Sequence, residues 1–442
     1  MNKILKSAGR LALYILALVG FVFIGGMLVF YSLGYRYDFG SQKPYKIGIL
    51  NITTAPAGAN VSLDGKLQNK KTPVDFRNLL PKQYAIKIEK DGYQTFAATA
   101  VVQAGLVTRL ENIFLVAKTL EPKKLLKETA SAFLSDNRQR FAFILPTGEN
   151  AGIWLYDSGS GTQTKLFPLQ KSLTSQSTEA AKYALVSWSK SGKTLLIKVE
   201  GEPASFYALN ADNPSDVRKF SIAQPLKTIW KNEEPLFLLP NQNLVSQTGE
   251  VVESLPDVMD ATFFGDQFYL IKKTEGKVVL EKRAGLAERA EELLQLPLDS
   301  NYSFYPETDQ MIMLRKKTGE LAWLKTEGAP QLVPIAASVN LAAYNGKTLI
   351  AWDGLEINAY NFPFDEKKLL VKLPDTTLVH LLFFDGQSLL TQENGQILLR
   401  SLHNGQGFPL VLAPEAAIFS IRDQTLYYGS QGQIWSLLLQ PK

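Results

Sequence analysis

From residue 129 onward one pattern recurs, at an interval that few folds can accommodate. A run of small and apolar residues leads to a turn with Gly, Asp or Asn. A strongly apolar run follows, then a second glycine turn, then a run carrying an aromatic residue or Leu. FLSDNRQRFAFILPTGENAGIWLYD, YALVSWSKSGKTLLIKV and LFFDGQSLLTQENGQILLRSL are three copies. The copies start near Ser131, Ala184, Thr228, Ala261, Ser303, Leu341, Val379 and Ala417, at intervals of 53, 44, 33, 42, 38, 38 and 38 residues. A repeat near 40 residues with three or four strands each is the mark of a β-propeller. One four-stranded sheet cannot bury both its faces alone, and radial packing of neighbours covers them. Helical repeats would need a 3.6-residue periodicity, which is missing. The spacing predicts eight blades, with seven as the alternative because the copy at 228–250 is short. Ala284–Leu294 (AGLAERAEELL) is rich in helix formers and reads as a loop decoration between blades.

The final copy holds three strands. The segment 119–128 (TLEPKKLLKE) precedes the first complete copy and is strand-compatible around Leu125 and Leu126. It is expected to supply the outer strand of the last blade, which closes the ring within residues 119–442 and covers an exposed edge.

The other end of the chain is defined by charge. From Leu11 to Tyr35 no residue is charged: LALYILALVGFVFIGGMLVFYSLGY. About 20 apolar residues at 1.5 Å each span a bilayer. Lys3, Lys6 and Arg10 precede the run, while Arg36, balanced by Asp38, follows it. The positive-inside rule then predicts a cytoplasmic tail (1–10), a transmembrane helix (11–35) and an extracytoplasmic remainder. Tyr31, Tyr35 and Tyr37 sit where an outer aromatic belt would lie. A cleaved signal peptide is the rival reading, but its apolar core should run only about 7–15 residues. Residues 36–46, polar with Gly and Pro, read as a linker.

Composition removes several chemistries. There is no cysteine, so a disulfide scaffold, a thiolate metal site and a thiol nucleophile are excluded. Only His380 and His403 are available for imidazole chemistry. His380 lies in an apolar strand, TLVHLLFF, and reads as a core or near-core residue; His403, in HNGQG, reads as a solvated turn. No nucleophile elbow, phosphate-binding glycine loop or calcium loop is present. No catalytic, metal or cofactor residue is assigned. The six Trp residues fall on blade strands, where burial between blades is the ordinary use. Residues 43–128 hold 14 Lys/Arg against 7 Asp/Glu, whereas 129–442 carry 29 against 34. The basic excess therefore belongs to the segment beside the apolar run. That placement suits anionic lipid or a wall polymer and argues against nucleic acid, which would draw on the largest module.

Between linker and repeats lie short alternating runs. Tyr84, Ile86 and Ile88 share one face while Lys87 and Glu89 share the other, and Val61 and Leu63 flank Ser62. Asp64-Gly65 and Asp91-Gly92 supply turns. TTAPAGANVSLDGK, followed by TPVDFRNLLPKQYAIKIEKDGYQTF, resembles the PEGA domain over residues 47–118. The matching positions include Pro56, Gly58, Ala59, Val61, Leu63, Asp64, Gly65, Leu79, Pro81, Tyr84, Gly92 and Tyr93. Ala57 stands where the family motif has Glu, and Lys82-Gln83 replaces a usual glycine. The resemblance implies a transthyretin-like β-sandwich of a surface protein, without catalysis. Pro56, Gly58, Ala59, Asp64, Gly65, Gly92 and Tyr93 are expected to be structural: turns, a hairpin and a core aromatic. The repeats resemble WD40-like and TolB-type propellers of bacterial envelopes, a resemblance that carries no functional residue across.

The expected protein is all-β apart from one N-terminal transmembrane helix. The function expected is that of a membrane-anchored extracytoplasmic binding or scaffold protein of the bacterial cell envelope. Its propeller would present a surface to an envelope protein or cell-wall glycan. An enzyme with a site in the propeller funnel, or a sensor or assembly factor for a membrane complex, is the alternative.

Overall fold

The computed structural model describes residues 2–38, 42–126, 132–134, 140–145, 149–169, 183–200, 205–222, 225–286, 288–298, 301–305, 313–374, 377–413, 417–422 and 424–440. The chain divides into two compact units, 1–118 and 119–442.

The first unit opens with helix α1, Asn2–Ser32. Within it Tyr14–Ser32 has a mean hydropathy of 2.3 and no buried residue, and is long and apolar enough to cross a membrane. Within 36–46, expected as a linker, the described residues include two paired strands: β1 (Tyr35–Asp38) pairs antiparallel with β2 (Lys43–Lys46). Backbone bonding explains what composition concealed, for a two-stranded ribbon needs no apolar face when its ends are pinned. The Ile47 N–H donates to the Gly34 carbonyl at 2.9 Å and so fixes the base of the hairpin.

Seven strands then build a sandwich. One layer orders β6 (Val74–Leu79), β3 (Gly48–Ala55) and β9 (Val107–Phe114); the other orders β5 (Lys66–Lys71), β4 (Asn60–Leu63), β7 (Lys82–Glu89) and β8 (Phe96–Val102). Leu50, Ile52, Val61, Ile86, Ile88, Phe96, Ile113 and Leu115 are buried between them. The alternation in β7 places Tyr84, Ile86 and Ile88 inward as its period-two pattern requires. β5 escaped the sequence reading because KLQNKK has no apolar alternation. It is a strand because the Asp64-Gly65 turn folds it back on β4. β3 and β9 run parallel, with Ile49 opposite Val107 and Ala55 opposite Phe114. The chain therefore enters the sandwich at one end and leaves at the other.

Among the described residues the second unit is a succession of eight four-stranded antiparallel sheets. Seven are continuous, at 132–168, 183–221, 227–254, 258–296, 302–336, 341–372 and 378–412. The eighth combines Ala417–Arg422, Thr425–Ser430 and Gln433–Leu438 with β10, Lys123–Leu126, as its outermost strand. First strands approach first strands: Val258–Phe264 touches both Lys227–Lys231 and Tyr302–Phe304, and Ala132–Leu134 touches Ala417–Arg422. The sheets are thus radial and the succession closes on itself as a β-propeller.

Apolar clusters fill the spaces between sheets. Ile144, Ile153 and Leu155 of the first sheet pack on Trp188, Leu195 and Ile197 of the second. Tyr269, Ile271 and Leu280 of the fourth pack on Tyr302, Phe304 and Leu314 of the fifth. Across the closure, Phe141 stacks on Tyr156 at 5.0 Å and meets Tyr427 of the eighth sheet at 6.0 Å. The helix-forming stretch Ala284–Leu294 is corrected by the structure: Glu291–Leu296 is the outer strand of the fourth sheet, paired with Lys277–Arg283. Pairing to a buried neighbour strand outweighs a per-residue helix preference of under 1 kcal/mol.

Phe141 is fully buried and joins the first sheet to the last. Phe141→Ala should lower propeller stability by about 3–5 kcal/mol, read from chemical denaturation.

Candidate functional site

The motif residues assemble into junctions. Pro56, Gly58 and Ala59 lie in the connection from β3 to β4. The Gly58 N–H donates to the Thr72 carbonyl at 2.7 Å, and the buried Ala59 receives Thr72 at its own carbonyl. Thr72 Oγ1 accepts the Ala59 N–H at 3.0 Å and shares a hydrogen bond with Thr54. Ala57 brings no carboxylate here. Lys90 instead donates from its ammonium to the Ala57 carbonyl at 2.7 Å, which ties the motif to the turn at Asp91 and Gly92. Tyr93, expected as a core aromatic, is only half-buried; its backbone bridges to Ala117 at the exit of the sandwich.

Asp64 and Gly65 form the two-residue turn between β4 and β5, both with positive φ (49° and 79°). A salt bridge and hydrogen bond from Lys82 at 2.5 Å, then the Ala85 N–H at 2.9 Å, hold the Asp64 carboxyl below its usual range. Asp64 and Gly65 thus occupy a turn, where Gly and Asp readily adopt positive φ.

The helix end forms a second cluster. The Arg36 guanidinium lies 3.4 Å from the centroid of the Tyr31 ring and donates to the carbonyls of Tyr31 and Tyr35 at 2.9 and 2.8 Å. It thereby ties the end of α1, where the Tyr31 carbonyl also accepts the Gly34 N–H at 3.1 Å, to the first residue of β1. It also reaches Asn78 of β6 at 3.4 Å. Asn78 lines a polar groove of about 930 Å³ along β5 and β6, with Lys70, Lys71 and Arg77. Both are outer strands, and lysine on an edge strand serves first to block pairing with another chain.

Within the propeller, buried charge is consumed by architecture. Asp260, on the innermost strand of the fourth sheet, accepts from Lys227 Nζ at 2.7 Å, the Ala261 N–H at 2.8 Å and the Phe304 N–H at 2.9 Å. One carboxylate so ties three consecutive inner strands. Glu393 and Arg400 form a buried ion pair, and Arg400 also donates to the Gly405 carbonyl at 2.8 Å. The turn containing His403 is not a solvated loop. Lys368 of the sixth sheet donates to the carbonyls of Leu402 and His403 at 3.0 and 2.9 Å, and Gly405 is buried against Leu370. His380 is half-buried on its strand. Among the described residues no group of three His, Cys, Asp or Glu could hold a metal ion. Of the six Trp, Trp188 and Trp230 are buried between sheets, and Trp230 donates to Ser187 Oγ at 3.1 Å; Trp154, Trp323, Trp352 and Trp435 are only half-buried, short of the burial expected of them.

Glu233 closes the turn between the first two strands of the third sheet. It accepts from Thr194 Oγ1 at 2.8 Å and from Ser191 of the second sheet. Burial acts to raise its pKa, but the hydroxyls of Ser189, Ser191 and Thr194, with Lys193 nearby, outweigh burial and leave it below its ordinary 4.5.

Residues 47–114 match the PEGA domain family. No curated protein matches the chain. Among solved structures, the WD40 domain of SCAP from fission yeast is 12% identical at a TM-score of 0.43, covering 72% of this chain and 94% of that one. BamB from Moraxella catarrhalis is 13% identical at 0.42, covering 71% and 99%. The acylaminoacyl peptidase of Pyrococcus horikoshii is 11% identical at 0.40, covering 68% and 57%. Likenesses this distant leave the function of each protein with that protein.

Two outcomes test these junctions. Gly92 has φ +81° with nothing within 4 Å of an added Cβ, whereas a Cβ on Gly405 (φ +73°) would stand 2.0 Å from the Leu370 carbonyl oxygen. Gly92→Ala should cost about 1 kcal/mol and Gly405→Ala about 2–4 kcal/mol in urea unfolding. Glu233 binds its proton more weakly folded than unfolded. Its contribution is therefore complete above its unfolded pKa and drains away as pH falls through the lower folded value. Glu233→Gln should flatten the acid limb of propeller stability below pH 4.5 and leave its shape near neutrality unchanged.

Proposed function

We propose that this protein is a membrane-anchored, extracytoplasmic binding or scaffold protein of the bacterial cell envelope. In this reading α1 is an uncleaved anchor, the sandwich is a spacer, and the propeller presents a surface to an envelope protein or a cell-wall glycan. The parallel pairing of β3 with β9 carries the reading. A module whose first and last strands run side by side in one direction receives the chain at one end and releases it at the other. Eight residues of β3 at about 3.3 Å each set those ends about 26 Å apart. That is the arrangement of a spacer, not of an insertion whose ends meet. The N-terminal cluster of Lys3, Lys6 and Arg10, set against the cancelling Arg36 and Asp38, supports a cytoplasmic tail. A binding role for the propeller is supported by the way its buried carboxylates are used. Asp260, a buried carboxylate beside the axis, is already engaged by three donors.

Proteinase added to spheroplasts should digest everything beyond residue 45 and spare an N-terminal tag. Protection of the propeller would overturn the orientation. A mature N-terminus beginning near Tyr35 would replace the anchor with a cleaved signal peptide.

A further inference from the structure

We infer that the end of the sandwich nearest α1 docks on the anionic headgroups of the bilayer that α1 spans, an inference that rests on the membrane reading above. The helix, the hairpin and this end of the sandwich are joined by short backbone bonds. The Ile47 N–H donates to Gly34 at 2.9 Å, and the Gly105 N–H donates to Ile47 at 2.8 Å. The loop before β9 is therefore two hydrogen bonds from the last turn of α1. Arg36 adds its own link to Asn78 of β6.

What this end presents is unusual for a sheet end facing water. Leu106 is 55% exposed, Val107 48% and Leu80 39%. Their neighbours are basic. The exposed Lys46 side chain lies over Gly105, beside Leu106. Lys43 is exposed on the same hairpin, and neither lysine forms an ion pair among the described residues. The nearby Asp64 is already neutralised by Lys82. Exposed Leu and Val ringed by unpaired lysine is the composition of a surface that lies in a membrane interface. Apolar side chains enter at headgroup depth while cations meet lipid phosphate. Lys43 and Lys46 thereby place part of the basic excess of residues 43–128 within about a Debye length of the bilayer. A protein partner would also fit an apolar and basic face. The direct hydrogen-bonded continuity with the spanning helix favours the lipid, because the bilayer is already present at that height.

The cysteine-free chain permits a clean test. Leu106→Cys and, at the opposite end of the sandwich, Asp91→Cys are each labelled with an environment-sensitive nitrobenzoxadiazole dye. The full-length protein is then reconstituted into vesicles of phosphatidylcholine alone or with phosphatidylglycerol. Flotation with the vesicles reports the anchor. The dye at 106 should shift to the blue in phosphatidylglycerol vesicles, lose most of that shift in phosphatidylcholine, and lose it again when Lys43→Glu and Lys46→Glu are combined. The dye at 91 should stay in water throughout. A chain that floats while the 106 dye remains in water overturns the docking and leaves the anchor standing. So does a shift that is the same in both lipids or is unmoved by the charge reversal. A chain that does not float overturns both.

Discussion

Every sheet of the propeller is apolar on two faces, and that single constraint organises 119–442. A sheet buried on one side only would expose Leu, Ile and Phe on the other, at about 25 cal/mol for each Å² left in water. Each sheet therefore needs two neighbours, and in a finite series this is met only if the last meets the first. The meeting is made twice. Phe141, Tyr156 and Tyr427 pack ring against ring across the seam. β10 adds the outer strand to the eighth sheet, with Lys124 opposite Trp435 and Leu126 opposite Ile434. That pairing joins residues some 310 positions apart and hides an edge that would otherwise template aggregation.

The polar interior follows from the same radial packing. First strands approach one another from sheet to sheet. Asp260 exploits this, binding Lys227 on one side and the Phe304 amide on the other. A carboxylate removed from water is costly unless every lone pair is engaged. Here the engagement is with strands of neighbouring sheets, so the charge adds specificity to their alignment. Glu233 does the same at the turns, joining the third sheet to Ser191 and Thr194 of the second.

The sequence announced its repeats because inner-strand starts recur with burial, and the described first strands begin within about three residues of the positions expected from pattern alone. The hairpin at Asp64-Gly65 and the strand at 84–89 were equally legible, since a turn with two positive φ values and a strict alternation leave strong marks. What stayed hidden depended on partners far along the chain. Glu291–Leu296 has helix-forming residues and becomes a strand because Lys277–Arg283 offers a ladder. Lys43–Lys46 has no apolar face and becomes a strand because Tyr35–Asp38 lies opposite. The turn at His403 looks solvated in sequence, and nothing local reveals that Lys368 and Leu370 of another sheet close over it. The lipid-facing candidate surface was half visible: its charge could be counted, but the placement of Leu106 against Lys46 required the fold.

The directions of the strands in residues 35–118 also decide how they respond to tension. β1 and β2 are antiparallel and their outer ends, Tyr35 and Lys46, are paired with each other. Pulling those ends apart opens the ladder one bond at a time, as a zip does, and releases 12 residues, or about 40 Å of slack. β3 and β9 are parallel and are drawn from opposite ends, so the same pull slides one strand along the other and loads all their hydrogen bonds together. A weak extensible element thus stands in series with a stiff one, and a sudden force on this segment lengthens the hairpin before it reaches the sandwich core.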